Sequence, residues 1–183
     1  MKTLLLIGDS IRMGYQPLVT KLLEGRWIVR GPEENGGTSR NVLANLDAWA
    51  AQPADVVHIN CGLHDLARSF ESTVNRVPRD EYAANVREVL GRLTARGGRI
   101  IWATTTPVID EWHHLHKKFD RHEADVLAYN VVATTAAQGM GIPVDDLHAV
   151  IEAAGREQCL QPDGVHMIPA GYARLADAVV ACL

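Results

Sequence analysis

The chain is poor in the features that mark several protein classes. It has 183 residues and only three cysteines, Cys61, Cys159 and Cys182. An odd number with no C-x-x-C spacing gives neither a disulfide framework nor a cysteine zinc site, and reads as free thiols in a reducing compartment. No apolar run approaches membrane-spanning length, and the stretch before Gly8 and Asp9 is too short for the apolar region of a signal peptide, so the expected location is cytoplasmic. Charge of one sign is also lacking. The formal net charge is −4 and the basic residues are scattered, which leaves no electrostatic footprint for nucleic acid. Internal repeats, low-complexity tracts and Pro/Ser-rich linkers are missing as well, and a chain 47% hydrophobic reads as one domain over residues 1–183 with a sizeable core.

What is present alternates. Thr3 to Ile7 is a short, wholly apolar run ending at Gly8, the pattern of a parallel strand buried on both faces. Apolar residues at Ile11, Tyr15, Leu18, Val19, Leu22 and Leu23 then follow helical spacing. "RWIVRGP" predicts a second strand, "EENGGTSR" a loop and "NVLANLDAWA" a helix. "ADVVHINCG" predicts a third strand, Asp80 to Arg96 a helix stopped by Gly97 and Gly98, and "RIIWATTTP" a fourth strand. Residues 123–138 again read as a helix, "IPVDDL" as a fifth strand and "PAGYARLADAVVACL" as a closing helix that opens on proline. Five strand and helix alternations imply a parallel sheet with helices on both faces: a three-layer α/β/α sandwich of flavodoxin-like type.

In that architecture the loops after the strands gather along one edge of the sheet. The first holds Ser10, the second Gly36 and Gly37, the third Gly62, His64 and Asp65; the segment before the last helix adds Asp163 and His166. Serine, a histidine base and a carboxylate to orient it are what acyl transfer requires, and glycine-loop N–H groups suit a developing oxyanion. Each residue also has a plain structural reading. Ser10 and Asp9 are both good helix caps, Gly36 and Gly37 suit a turn, and Asp163-Gly164 is a turn dipeptide. Asp9 and Asp65 read as loop-stabilising side chains that bond nearby N–H groups.

Taken together and in order, these residues resemble the GDSL esterases and lipases, also called SGNH hydrolases. "GDSI" at Gly8–Ile11 is similar to the first block of that family, "NGGTSRNVL" to its glycine block, "NCGLHDL" to its third and "DGVH" to its last. The resemblance implies the same three-layer fold, with Ser10 as nucleophile, His166 as general base and acid, and Asp163 as its orienting carboxylate. It further implies an oxyanion hole from the N–H groups of Ser10 and a glycine, Gly36 by alignment to Thr38 with Gly37 competing through Ser39. His64 stands where the family commonly has asparagine, and is expected to be the third donor, with a changed pH profile, since histidine can gain a second proton; the alternative is a histidine bonded within its own loop. No metal or organic cofactor is required.

The implied activity is hydrolysis of a small acyl ester, with acetyl groups on carbohydrate as the preferred substrate and a thioesterase or lysophospholipase as the second choice within the family. From other classes, a flavodoxin-like binding module or a catalytically silent relative fits the same alternation, although the phosphate-cradling G-x-G-x-x-G and P-loop spacings do not occur in the first glycine loop. "DEWHHLHKKFDRH", with His113, His114, His116 and His122, lacks the i, i+4 spacing of a helical zinc motif and reads as a charged surface or lid segment. Trp112, Leu115 and Phe119 there could supply apolar contacts to a substrate. Arg40 and Arg68 read either as holders of an anionic or sugar group or as surface ion pairs.

Overall fold

In the computed structural model, which describes all of residues 1–183, thirteen elements follow in the order β1 (Lys2–Ile7), α1 (Ser10–Leu22), β2 (Trp27–Arg30), α2 (Ser39–Trp49), β3 (Val56–Ile59), α3 (Arg79–Arg96), β4 (Arg99–Ala103), α4 (Asp110–His116), α5 (Glu123–Gly139), β5 (Val144–Asp145), α6 (Leu147–Ala154), α7 (Arg156–Cys159) and α8 (Pro169–Ala181). The strands form one sheet in the order β2-β1-β3-β4-β5, parallel throughout. Helices α1, α6 and α8 pack together, as do α2, α3 and α5. These are the two outer layers that right-handed crossovers from a parallel sheet produce.

The central strands are apolar without interruption because both of their faces are covered. Leu4 to Ile7 and Val56 to Ile59 are buried, and they join the helix faces in one core that includes Val42, Leu46, Val86, Leu90, Leu175 and Val179. His58 is the exception within β3; it is fully buried, with Nε2 2.9 Å from Asp145 Oδ2 of β5 and Nδ1 without a partner. No helix is long and apolar enough to cross a membrane.

The elements differ from the sequence reading where polar segments fold. "IPVDDL" contributes only Val144–Asp145 to the sheet, because Asp146 accepts from the Ala149 N–H and starts α6. The histidine-rich segment contains a short helix, α4, whose His113 is fully buried against Phe119 (ring centroids 5.2 Å apart). The surface reading therefore holds for the exposed face at His114, Leu115 and His116 and not for His113, which is packed into the fold.

Candidate active site

The strand ends bring Ser10, Asp163 and His166 into one hydrogen-bonded chain. Ser10 follows β1 directly. Asp9 is the cap of α1, its Oδ1 accepting from the Ile11 N–H at 2.9 Å, so Ser10 is the first helical residue and its hydroxyl is not used for capping. Ser10 Oγ lies 3.0 Å from His166 Nε2, and His166 Nδ1 lies 2.6 Å from Asp163 Oδ2. With the proton on Nδ1 donated to Asp163, Nε2 is left to accept from the serine hydroxyl.

The turn Asp163–His166 fixes the acid and the imidazole together. Asp163 Oδ1 accepts from the Val165 and His166 N–H groups at 3.1 and 2.9 Å while Oδ2 faces the ring. Gly164 makes this turn at φ +70°, and a Cβ there would lie 2.6 Å from the Ile109 carbonyl oxygen. Burial works against the Asp163 charge. The hydrogen bonds from the His166 ring, the two backbone N–H groups and Lys117 outweigh it and hold the carboxyl well below the usual carboxylate range. Lys117 Nζ is 3.1 Å from Asp163 Oδ2, a partner with no signature in the sequence.

The second and third loops meet the first through backbone contacts. Gly36 donates its N–H to the Gly8 carbonyl oxygen at 3.0 Å, and a Cβ at this position would stand 2.7 Å from the same oxygen. The Gly36 N–H expected at an oxyanion is thus engaged in holding two loops together, and the N–H of Gly37 is engaged by Asn35 Oδ1 at 2.8 Å. The Ser10 N–H, an orphan donor at the first position of α1, has no partner in the protein. Arg12, buried in α1, fastens the approach to the glycine loop by donating to the carbonyls of Pro32 and Glu34, both at 2.9 Å. Asp65 accepts from the Ser39 N–H and from its hydroxyl, tying the third loop to the start of α2. Both Asp9 and Asp65 are therefore the loop-stabilising groups that their type suggested.

His64 is partly buried between these loops, and its ring makes no hydrogen bond to the protein. The alternative in which it bonds within its own loop is not what the fold displays. Burial, with the charges of Arg121, Arg76 and His166 acting the same way, pushes the ring toward the neutral form despite Asp9. Arg40 and Arg68 are used in structural pairs: Arg40 bonds Glu81, and Arg68 lies 3.6 Å from Asp125 while its backbone pairs with Asp120. Trp112 lines a recess of about 260 Å³ with His116, Leu160 and Pro162. Sequence reasoning missed Arg121, whose Nε donates to the Leu63 carbonyl oxygen at 2.7 Å, immediately before His64.

A sequence model of the GDSL-like lipase/acylhydrolase family matches residues 6–174. No curated protein matches the chain by sequence. Among solved structures, the fold is similar to that of an acetyl xylan esterase, 17% identical with 99% of each chain covered and a TM-score of 0.79. It is similar also to a lipase/acylhydrolase from Enterococcus faecalis, 18% identical over 99% of this chain and 94% of that one, TM-score 0.79. An acetylxylan esterase from Geobacillus stearothermophilus is 22% identical over 98% and 93%, TM-score 0.76.

Proposed function

The chain belongs to the GDSL-like lipase/acylhydrolase family, a carboxylic ester hydrolase family, and from that premise we propose that it removes a small acyl group, acetyl by preference, from an acylated carbohydrate by a Ser10–His166–Asp163 mechanism. The observation that carries this reading is the continuous chain from Ser10 Oγ through the His166 ring to Asp163. His166 Nε2 takes the Ser10 proton as the serine oxygen attacks the ester carbonyl. Asp163, kept ionised by its hydrogen bonds, holds the ring and balances the imidazolium. The alcohol leaves with the proton from His166, and water, deprotonated by the same ring, releases the acid from the acyl-serine.

The tetrahedral oxyanion is received by the free Ser10 N–H and by the neutral His64 ring, both without other partners. Gly36 serves by close approach to Gly8 rather than by donation. A small acyl group on a large polar molecule suits a site whose His166 side chain is 31% exposed, and two of the proteins with this fold are acetyl xylan esterases.

Hydrolysis of p-nitrophenyl acetate by the native protein and by Ser10→Ala tests the mechanism, followed by acetate release from acetylated sugars for the substrate. Activity lost in Ser10→Ala with the fold retained is the expected result. Equal rates in the two proteins would remove Ser10 from the chemistry.

A further inference from the structure

Arg121 is a buried cation that the protein leaves partly unmet. It is 5% exposed, yet its one hydrogen bond runs from Nε to the Leu63 carbonyl oxygen. Neither terminal amino group has a protein partner, and no carboxylate lies within ion-pair distance. Those amino groups are not among the sealed, unsatisfied atoms of the interior, so they reach the surface. Desolvation is costly for a charge, and buried guanidinium groups are ordinarily paired. Burial pulls this one down to about 10, which leaves it protonated at neutral pH.

Its surroundings are those of the proposed reaction centre. Leu63 on one side leads into His64, which feels the charges of Arg121, Arg76 and His166. On the other side the Phe119 ring, 4.9 Å from the Arg121 guanidinium, packs on His113, whose Nδ1 is 3.3 Å from the Asp163 carbonyl oxygen. Arg76 lies over the same Phe119 ring at 5.8 Å, and its exposed guanidinium has no side-chain hydrogen bond or ion pair. Two unpaired guanidinium groups thus flank one aromatic ring between the loop of His64 and the loop of Asp163, in a protein whose formal net charge is −4.

We infer that Arg121 and Arg76 form a receptor for a carboxylate carried by the ester substrate, set beside the reacting bond. With Nε spent on Leu63, the paired amino groups of Arg121 present the planar edge that a carboxylate meets with two parallel hydrogen bonds. Arg76 closes over it from the exposed side, and Phe119 holds both guanidinium planes by cation–π contact. The carboxylate can sit on the acyl side, as in a dicarboxylic half-ester, or on the alcohol side, as in an acylated acidic sugar. The inference rests on the ester-hydrolase reading for its substrate, but its receptor can be tested separately.

The experiment compares kcat/KM for two anionic esters with that for their uncharged methyl-ester counterparts: mono-p-nitrophenyl succinate for the acyl side and 4-acetoxybenzoate for the alcohol side. The native protein is expected to prefer one anionic ester at least tenfold, and the preferred arm names the side. Arg76→Met, an exposed substitution, and Arg121→Lys should each reduce that ratio severalfold or more. No preference in either arm, or a ratio unchanged in both variants, would overturn the receptor while leaving ester hydrolysis intact. If the native protein turns over none of these esters, nor p-nitrophenyl acetate, the hydrolase reading fails; calorimetric titration with benzoate then decides the receptor. Binding weakened about tenfold by Arg76→Met upholds it, and absent or unaltered binding overturns it.

Discussion

Lys117 and His166 share one oxygen of one carboxylate: Lys117 Nζ lies 3.1 Å and His166 Nδ1 2.6 Å from Asp163 Oδ2. The ammonium competes with the imidazolium for the charge that stabilises it. Replacing Lys117 by Met leaves Asp163 wholly to His166. Turnover of p-nitrophenyl acetate at pH 8 should therefore rise by about two- to threefold, because the imidazolium formed in the transition state meets an undivided charge. Stability should change little, because a partly exposed ion pair contributes only about 0–1 kcal/mol. Unchanged turnover in a folded Lys117→Met protein would show that the lysine does not act on the Asp163–His166 pair.

As the proposed oxyanion donor, His64 offers one N–H while neutral and two, with added charge, once protonated. Its ring is pushed below its ordinary value by burial and by Arg121, Arg76 and His166, so it is neutral at pH 7 and gains its second proton only in more acid solution. His64→Ala should lower turnover of p-nitrophenyl acetate about a hundredfold, the usual effect of losing one such donor. His64→Asn restores an amide donor that does not titrate. It should keep most of the activity and remove from the acid limb whatever His64 contributes. A loss below a few-fold in His64→Ala would end the donor assignment.

How far the sequence carries this picture depends on the kind of contact involved. Strands such as Leu4–Ile7 are legible because burial on both faces demands an unbroken apolar run. Asp163 and His166 are legible because three residues are enough for one turn to bring carboxylate and ring together. The engagement of Gly36 was not legible, since its acceptor is a backbone oxygen of Gly8 that no residue type announces. Lys117 and Arg121 were hidden for a related reason. They lie in the connection between α4 and α5, without periodicity, and reach Asp163 and Leu63 from far along the chain. The charged residues around His113 disguised it as a surface group, although Phe119 and the last loop enclose it.

That enclosure makes His113 a source of acid sensitivity. Desolvation, aided by the charge of Arg121, pulls the ring down to about 4, against about 6.5 when unfolded, and Nε2 is buried without a partner. A depressed folded value means that stability is fully present above pH 6.5 and is lost as the pH falls from there toward 4, up to about 3 kcal/mol. Asp65 acts in the opposite sense. Burial pushes it up to about 6, so its contribution is greatest below the unfolded carboxyl value and falls as pH rises through 6. The two slopes oppose one another, and the His113 effect must be read as a difference. His113→Phe keeps an aromatic ring against Phe119, at a somewhat larger volume, and removes the titration. Its melting temperature relative to the native protein should be several degrees more favourable at pH 5 than at pH 8. An offset that does not vary with pH would mean that the buried ring does not titrate in this range.

Gly36 offers a test of how the nucleophile's loop is held. The Gly8 carbonyl oxygen accepts the Gly36 N–H at 3.0 Å, and the space between the two backbones is too small for a methyl group, which would stand 2.7 Å from that oxygen. Since the obstacle is backbone, no side-chain rotation relieves it. Gly36→Ala must move either the glycine loop or the strand end that carries Gly8, Asp9 and Ser10. The cost should be about 1–3 kcal/mol, typical of overpacking at a tight site, with turnover of p-nitrophenyl acetate reduced tenfold or more because Ser10 shifts from its 3.0 Å contact with His166. Gly37→Ala is the control for the competing glycine. Its Cβ would meet nothing within 4 Å, and the strain comes only from φ +61°, so it should cost about 1 kcal/mol and leave the Gly8–Gly36 bond in place. Comparable loss of turnover in the two variants would show that the loop acts through its flexibility and not through the contact between Gly36 and Gly8.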